Sequence, residues 1–227
     1  MDYKEIRVPE TINDIKLGQW QKFITVFEKN KENEDFLNKK MLEIFCGIDL
    51  KLLAGIKFSD YETTLTHLNS LLWVEQPLQR KFKLKGTDNK IVHFGLIPNL
   101  DKMSYGEFED LENYIHNPKT LNRAMAVLFR PISLEIKGKY KVHEYKGTDF
   151  MAEVMKEMPL GIALGAKVFF YRLATKLGVY TMDYTLKECL TTESAQHPMG
   201  SGKNGVLTKE YSSFLKEMLE ELTRLQN

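Results

Sequence analysis

Residues 80–99, RKFKLKGTDNKIVHFGLIPN, are the stretch of the sequence that decides the fold. Phe82 and Leu84 alternate with lysines, the turn-forming residues GTDN follow, and a second apolar run extends from Ile91 to Ile97. Alternation on both sides of a turn predicts a β-hairpin, and its basic solvent face is typical of an edge strand that is protected from pairing with other chains. In most of the other segments, apolar side chains recur at the helical spacings of three and four. The sequence therefore predicts a mainly α, multi-helix single domain with a small β-hairpin at about residues 80–98.

Three amphipathic helices are predicted before the hairpin. Residues 17–29 and 33–48 repeat apolar side chains at spacings of three and four, and Gly47 is a natural end for the second helix. Ser59, with Glu62 three residues later, has the spacing of a capping box for the third. The expected buried side of this third helix comprises Leu65, Leu68, Leu72 and Trp73.

The stretch MSYGEFEDLENYI, residues 103–115, contains the clearest helix signal. Ser104 is a suitable N-cap, and Glu107 completes a capping box. A stripe expected to lie in the core comprises Tyr105, Phe108, Leu111 and Ile115. A solvated face is expected for the acidic residues Glu107, Glu109, Asp110 and Glu112. On this face Glu109 and Asp110 are candidate protein-interface residues.

The chain after this helix is predicted to contain three more helices, one of them short and starting at Asp149, and one ambiguous segment. The helix that starts at Leu121 should end within a residue or two of Phe129, because Pro131 follows, and Arg130 is expected to help satisfy its last carbonyls. Residues 133–146 fit either a strand or an ordered loop. Residues 160–177 are apolar nearly all round, which predicts a central helix whose glycines allow a neighbouring backbone to approach closely.

The C-terminal region has the composition of a linker followed by an amphipathic helix. Residues 1–193 are expected to form the helical domain, residues 194–206 a flexible linker, and residues 207–227 a tethered helix. The apolar seam of that helix comprises the candidate interface residues Tyr211, Phe214, Leu215, Met218, Leu222 and Leu225. A helix this short needs tertiary packing, so it docks either on its own domain or on a partner.

Charge and composition argue against several classes of partner. The 32 Lys and Arg residues and 31 Asp and Glu residues leave a formal net charge of +1, so no overall field draws the chain to nucleic acid or to an anionic membrane. Cys46 and Cys189 are too few for a disulfide framework. The apolar run at residues 158–171 is too short to span a bilayer, and the first ten residues lack the apolar core of a secretory signal. We expect a cytoplasmic protein with no nucleic-acid and no membrane partner.

No catalytic, cofactor or metal motif is complete in the sequence. GSGK at residues 200–203 resembles the end of a phosphate-binding loop, but His197 replaces its first glycine and Asn204 replaces the residue that would reach magnesium. The five histidines show no spacing typical of a zinc site. Cys46 lies on an apolar helix, which favours a small buried hydrophobe over a reactive thiol. We therefore expect no enzyme activity, no cofactor and no bound metal.

Five blocks of the sequence resemble a family of proteins encoded among the tail genes of tailed bacteriophages. The blocks are IKLGQWQKF, KKMLEIFCGI, FGLIPNLDKMSYGEFEDLENYI, NRAMAVLFRPI and MPLGIALGAKVFFYRLATKLG, which cover most of residues 12–178. The family resembles tail assembly proteins, described as tail assembly chaperones or baseplate-associated factors. The resemblance implies partners among phage tail or virion proteins, and a location in the host cell cytoplasm during assembly or in the virion. It carries over no active-site residues.

Three functions are compatible with the sequence. The leading interpretation is a non-enzymatic phage tail assembly protein that binds other tail proteins during morphogenesis. The alternative is a permanent virion structural subunit of the neck, tail or baseplate, and self-association into a homo-oligomer is open in both cases. A third is an enzyme with an unfamiliar site, which a deep polar pocket with buried carboxylates would favour.

Overall fold

Helices and one small antiparallel sheet build the described part of the chain. The computed structural model describes residues 7–85, 90–98, 100, 103–172 and 175. The helices are α1 (Leu17–Lys29), α2 (Glu34–Cys46), α3 (Leu50–Leu53), α4 (Phe58–Leu72), α5 (Tyr105–Ile115), α6 (Leu121–Leu128), α7 (Asp149–Met155) and α8 (residues 160–172). The strands are β1 (Lys81–Lys85), β2 (Ile91–Leu96), β3 (Phe129–Ile136) and β4 (Lys139–Val142). The fold is mixed and helix-rich.

The chain divides into two compact units, residues 1–167 and residues 168–227. The helix α8 extends five residues into the second unit, and all the other helices and strands named above belong to the first. The predicted linker at residues 194–206 and the predicted helix at residues 207–227 lie outside the described residues. Within the described ranges, no helix is long and apolar enough to cross a membrane.

The first two long helices form where the sequence predicts them. The side chain of Asn33 accepts a hydrogen bond from the backbone N–H of Phe36 and so caps α2. Gly47 ends the helix in the left-handed conformation, with φ of 70°, which glycine adopts without a steric cost.

The start of α4 and part of its buried side differ from the prediction. The helix begins at Phe58 with Lys57 at the N-cap, so Ser59 lies inside the first turn and donates to Asp60 instead of capping. Leu65 and Leu68 are buried as expected, whereas Trp73 is exposed. The helix ends at Leu72, and Trp73 is its C-cap at an end of the helix where Val74 is exposed as well.

The sheet has four strands in the order β1-β2-β3-β4, all antiparallel. The predicted hairpin is confirmed as β1 and β2, and β1 is an edge strand. The ambiguous segment forms much of a second hairpin, β3 and β4, so the sheet is larger than the single predicted hairpin. Phe82 stacks on Phe94 with ring centroids 5.2 Å apart and contacts Phe129 at 5.3 Å, which joins the first hairpin to the core.

The two hairpins are joined over a short distance only. The ladder between β2 and β3 consists of three residue pairs, from Leu96↔Phe129 to Phe94↔Pro131. Tyr140 of β4 folds across β2 and donates a 2.7 Å hydrogen bond to the carbonyl of Leu96. Gly95 allows this crossing, because a Cβ at that position would lie 2.4 Å from the ring of Tyr140.

The centre of the core is formed by α6 and the first half of α8. Every residue from Ala124 to Phe129 is buried, and α6 ends at Leu128, which confirms the predicted helix boundary. The expected central position of α8 is also confirmed, since Leu160, Ile162, Ala163 and Ala166 are buried. A Cβ on Gly165 would lie 2.5 Å from the carbonyl oxygen of Pro77, so this glycine permits the expected close backbone approach.

The start of α1 is completed by backbone from a distant part of the chain. The first N–H groups of a helix have no acceptor within that helix. The N–H groups of Leu17 and Gly18 donate 2.8 Å hydrogen bonds to the carbonyls of Met158 and Lys156. In return, the N–H of Leu160 donates to the carbonyl of Ile15 at 2.8 Å, so the segments before α1 and before α8 hold each other.

Candidate protein-binding site

The structure describes two of the predicted interface residues, Glu109 and Asp110, and both belong to α5. The candidates Tyr211, Phe214, Leu215, Met218, Leu222 and Leu225 lie outside the described residues. The candidate site is therefore built around α5.

The solvent-facing side of α5 carries aromatic side chains that the sequence placed in the core. Tyr105 is 79% exposed and Phe108 is 52% exposed, so the prediction is wrong for these two residues, whereas Leu111 and Ile115 are buried as expected. Glu107 is buried, which contradicts its expected solvated position. Spacings of three and four put the exposed residues on one side of the helix. We call this set, Tyr105, Phe108, Glu109 and Glu112, the α5 outer face.

A buried ion pair explains why α5 turns Glu107 inward. The Nη2 atom of Arg130 lies 2.8 Å from Oε1 of Glu107, and the two side chains are only 10% and 8% exposed. The other carboxylate oxygen accepts a 2.7 Å hydrogen bond from the backbone N–H of Ser104, which completes the predicted capping box. One carboxylate thus caps the helix and neutralises a buried cation. The expectation that Arg130 satisfies the carbonyls of α6 is wrong, because Arg130 already belongs to β3.

A second polar contact holds the other side of α5. The hydroxyl of Tyr145 donates to Oδ2 of Asp110, so Asp110 is half-buried and engaged, while Glu109 remains exposed. Burial, and then the hydrogen bond and negative charge of Asp110, raise the pKa of Tyr145 above its ordinary value, so the phenol keeps its proton at a pH where a free tyrosine loses it. The guanidinium of Arg130 lies 5.9 Å from the centre of the Tyr145 ring. Arg130 and Tyr145 therefore connect the two contacts into one network.

A cavity of about 640 Å³ adjoins this network. It is lined by Ala126, Arg130, Pro131, His143, Glu144, Tyr145, Lys146, Gly147, Asp149, Phe150 and Met151. Its two carboxylates, Glu144 and Asp149, are exposed, and Asp149 pairs with Arg123 at 2.8 Å. Phe150 is exposed as well. The cavity is thus a surface depression with an aromatic side chain and mixed charge, and its lining carboxylates are exposed, whereas buried carboxylates would favour the enzyme interpretation.

The remaining candidates for reactive chemistry in the described residues are metal-binding groups and the Cys46 thiol. Within the described ranges, no group of three or more His, Cys, Asp or Glu residues is arranged to hold a metal ion. The prediction for Cys46 is confirmed, since it is buried in α2 and burial raises the pKa of its thiol to about 11. The side of α5 that faces solvent carries aromatic and acidic side chains. Polar contacts on the opposite side hold the helix in place.

Only part of this arrangement has a signal in the sequence. The capping box marked Glu107 as a residue that turns back toward Ser104, but it gave no sign of burial, since Asp14 closes a capping box with Thr11 and is exposed. The pairing of Glu107 with Arg130 joins residues 23 positions apart along the chain and has no local signature. Tyr145 lay in the segment that was ambiguous between strand and loop.

Comparison with known proteins finds no match. No family model, no curated protein and no solved structure matches the chain.

Proposed function

We propose that this chain is a non-enzymatic protein-binding factor that uses the α5 outer face, and that it binds other tail proteins during the assembly of a tailed bacteriophage. The observation that carries the binding role is the exposure of Tyr105 and Phe108 on a helix whose opposite side is held by a buried ion pair. The phage setting rests on the resemblance of the sequence blocks, one of which contains all of α5.

The α5 outer face has the composition of a binding surface. Large aromatic side chains contribute most of the affinity at many protein interfaces, because they bury a large area and lose little conformational entropy. Here the two aromatics lie one turn apart and are flanked by Glu109 and Glu112. A partner surface with apolar pockets and basic residues at its rim would complement both features.

The contacts behind α5 support binding because they fix the helix before a partner arrives. Rotating the helix to bury Phe108 would carry Glu107 out of its contact with Arg130 and leave a buried cation unpaired. The hydrogen bond from Tyr145 to Asp110 opposes the same rotation. A preorganised surface loses less free energy on association than one that must first be ordered.

A non-catalytic role is supported by the way the charged groups near α5 are engaged. Glu107 pairs with Arg130, and the hydroxyl of Tyr145 donates to Asp110. Each group has a structural partner, whereas general acid–base catalysis needs a titratable group within reach of a substrate proton.

The proposal is tested by affinity purification of the tagged protein from phage-infected cells, with the captured proteins identified by mass spectrometry. The test variant is Tyr105→Ser with Phe108→Ser. The matched control is Phe58→Ser with Trp73→Ser, which removes two exposed aromatics associated with α4. Loss of two interface aromatics should reduce capture of a tail protein by about 30-fold or more. Equal capture by both variants would refute the role of α5.

Analysis of purified particles separates the assembly factor from a virion subunit. An assembly factor that acts in the host cytoplasm should be absent or scarce in mature virions, whereas a structural subunit should be present in stoichiometric amount. Capture of host or non-tail proteins alone would refute the phage-assembly setting while leaving the binding role of the α5 outer face intact.

A further inference from the structure

The second hairpin, β3 and β4, ends in a tight turn that fixes the shape of its tip. Lys137 and Gly138 have φ of 49° and 79°. Two consecutive residues with positive φ are characteristic of the type I′ turn, which matches the twist of the strands that it connects. Ile136 and Lys139 pair directly on either side of this turn. The tip therefore holds its side chains in a defined arrangement.

One side of the tip is apolar and basic. Side chains that lie directly opposite each other in an antiparallel ladder are on the same face of the sheet. Leu134 pairs with Lys141, and Ile136 pairs with Lys139. Leu134 and Ile136 are 50% and 58% exposed, and both lysines are exposed as well. We call this set, Leu134, Ile136, Lys139 and Lys141, the hairpin outer face.

The other side of the tip takes part in contacts within the chain. Glu135 and Tyr140 pair in the ladder, so their side chains lie on the face opposite to the hairpin outer face. Glu135 forms an ion pair with Lys81 of β1, and the hydroxyl of Tyr140 donates to the carbonyl of Leu96 in β2. The first hairpin thus supports the tip from one side and leaves the hairpin outer face toward solvent.

The α5 outer face and the hairpin outer face have the same layout with opposite charge. On α5, Tyr105 and Phe108 are three positions apart, and each is followed four positions later by a glutamate. Side chains at these helical spacings have Cβ atoms about 5–6 Å apart. On the hairpin, the two aliphatic side chains are about 7 Å apart along β3, and each has a lysine about 5 Å away across the ladder. Each face therefore has one apolar edge and one charged edge of similar length.

From this match we propose that the hairpin outer face of one copy of this chain binds the α5 outer face of a second copy. The two aromatic side chains of α5 pack on Leu134 and Ile136, while the two glutamates pair with the two lysines. This inference rests on the proposed function in one respect, because it requires the α5 outer face to be a binding surface. It adds a specific partner for that face.

A second copy has the properties that the α5 outer face requires of a partner. Its aromatic and acidic side chains call for apolar side chains with basic groups beside them, and the hairpin outer face supplies both. The formal net charge of +1 is too small for copies of the chain to repel one another strongly. The exposure of both faces shows that they do not cover each other within one copy.

The contact is heterologous, because it joins two different surfaces. Such a contact leaves one face unused at each end of a pair, so further copies add until a ring closes or a chain extends. A tail protein that binds the α5 outer face would displace the neighbouring copy. Self-association and capture of another protein therefore compete for the same face.

Sedimentation velocity of the full chain measures this association. Four side chains on each surface make a small interface, so we expect a Kd of about 10 to 100 μM, measured over about 1 to 200 μM protein. The association should weaken as salt is raised, because the ion pairs are at the surface.

Two charge-reversal variants test the pairing of the faces. Glu109→Lys with Glu112→Lys makes the α5 outer face basic, and Lys139→Glu with Lys141→Glu makes the hairpin outer face acidic. Each variant alone should associate about tenfold or more weakly than the parent. An equal mixture of the two should associate within about threefold of the parent, because every contact in an alternating assembly again joins opposite charges.

The matched control is Lys83→Glu with Lys85→Glu, which makes the same change of charge on exposed residues of β1. Its association should stay within about threefold of the parent. The hairpin reversal leaves the α5 outer face intact, so in infected cells it should still capture a tail protein. Tyr105→Ser with Phe108→Ser should lose both self-association and capture. Loss of capture in this serine variant, with no self-association of the parent, would overturn the present proposal and leave the proposed function standing.

Three results would overturn the proposal. A parent protein that stays monomeric up to about 200 μM would remove it altogether. Association that survives both reversals would place the contact elsewhere on the chain. Loss of association in each reversal without recovery in the mixture would show that the two faces do not bind each other, provided that circular dichroism finds both variants folded.

Discussion

Replacing Glu107 with glutamine should destabilise the protein by about 3 kcal/mol. The carboxylate lies 2.8 Å from the guanidinium of Arg130, and both side chains are at least nine-tenths buried. Nε of Arg130 is also buried with no hydrogen-bond partner, so the guanidinium has little other compensation. Removing one member of a buried ion pair costs about 3 to 5 kcal/mol. The cost of Glu107→Gln should be at the lower end of this range, because the glutamine carbonyl can still accept a hydrogen bond from the Ser104 N–H. Glu107→Leu also removes this cap, so it should cost about 1 kcal/mol more.

Urea unfolding followed by circular dichroism measures this effect. With an m-value of about 2 to 3 kcal/mol/M, a loss of about 3 kcal/mol lowers the midpoint by about 1 to 1.5 M. The matched control is Glu109→Gln, which makes the same chemical change on an exposed residue of the same helix and should alter stability by less than about 0.5 kcal/mol.

A double variant tests the cause of the loss. Glu107→Leu combined with Arg130→Met replaces both charges with apolar groups, so the double variant should be more stable than Glu107→Leu alone. A Glu107→Gln protein within about 1 kcal/mol of the parent would refute the reasoning, because it would mean that the pair is hydrated in solution.

Three further predictions follow from other sites. Gly95→Ala should cost about 1 to 3 kcal/mol, because its Cβ would overlap the ring of Tyr140, and adding Tyr140→Ala should cancel part of that loss in a double-mutant cycle of urea midpoints. The free energy of unfolding should fall as pH rises past about 10, because the folded state holds the proton on Tyr145 while the unfolded state releases it. Urea midpoints measured between about pH 8 and pH 11 should therefore fall less steeply in Tyr145→Phe than in the parent protein. In a Cys189→Ser background Cys46 should react with a thiol reagent at pH 8 only after unfolding, because it is buried with a pKa of about 11, and rapid reaction of the native protein would contradict its burial.

Local signals in the sequence were sufficient for the elements that depend on short-range chemistry. The first hairpin followed from the alternation around Phe82 and Leu84, and the end of α2 followed from the glycine at Gly47. The end of α6 followed from Pro131, which excludes a helical conformation for the residue before it. In each case the deciding interaction lies within a few residues of the chain.

The face of a helix that is buried depends on what the rest of the fold offers to it. Hydrophobicity alone put Tyr105 and Phe108 in the core, and a buried arginine from a later strand reversed that choice by requiring Glu107. Trp73 was also misplaced: it is the C-cap of α4 and is exposed there together with Val74. Arg130 and Tyr145, which determine the candidate site, come from segments that the sequence could not position relative to α5.

The hydrogen bonds between the segments before α1 and α8 have a consequence for synthesis on the ribosome. Lys16 and Glu157, which pair where these segments meet, are 141 positions apart, so the acceptors for the Leu17 and Gly18 N–H groups do not yet exist when α1 leaves the exit tunnel. At a synthesis rate of about 5 to 20 residues per second, the acceptor residues emerge about 7 to 28 s after α1. During that interval its apolar side has no complete surface to pack against. A nascent chain stalled before Lys156 should therefore stay sensitive to protease at α1, and one extended past α8 should become resistant.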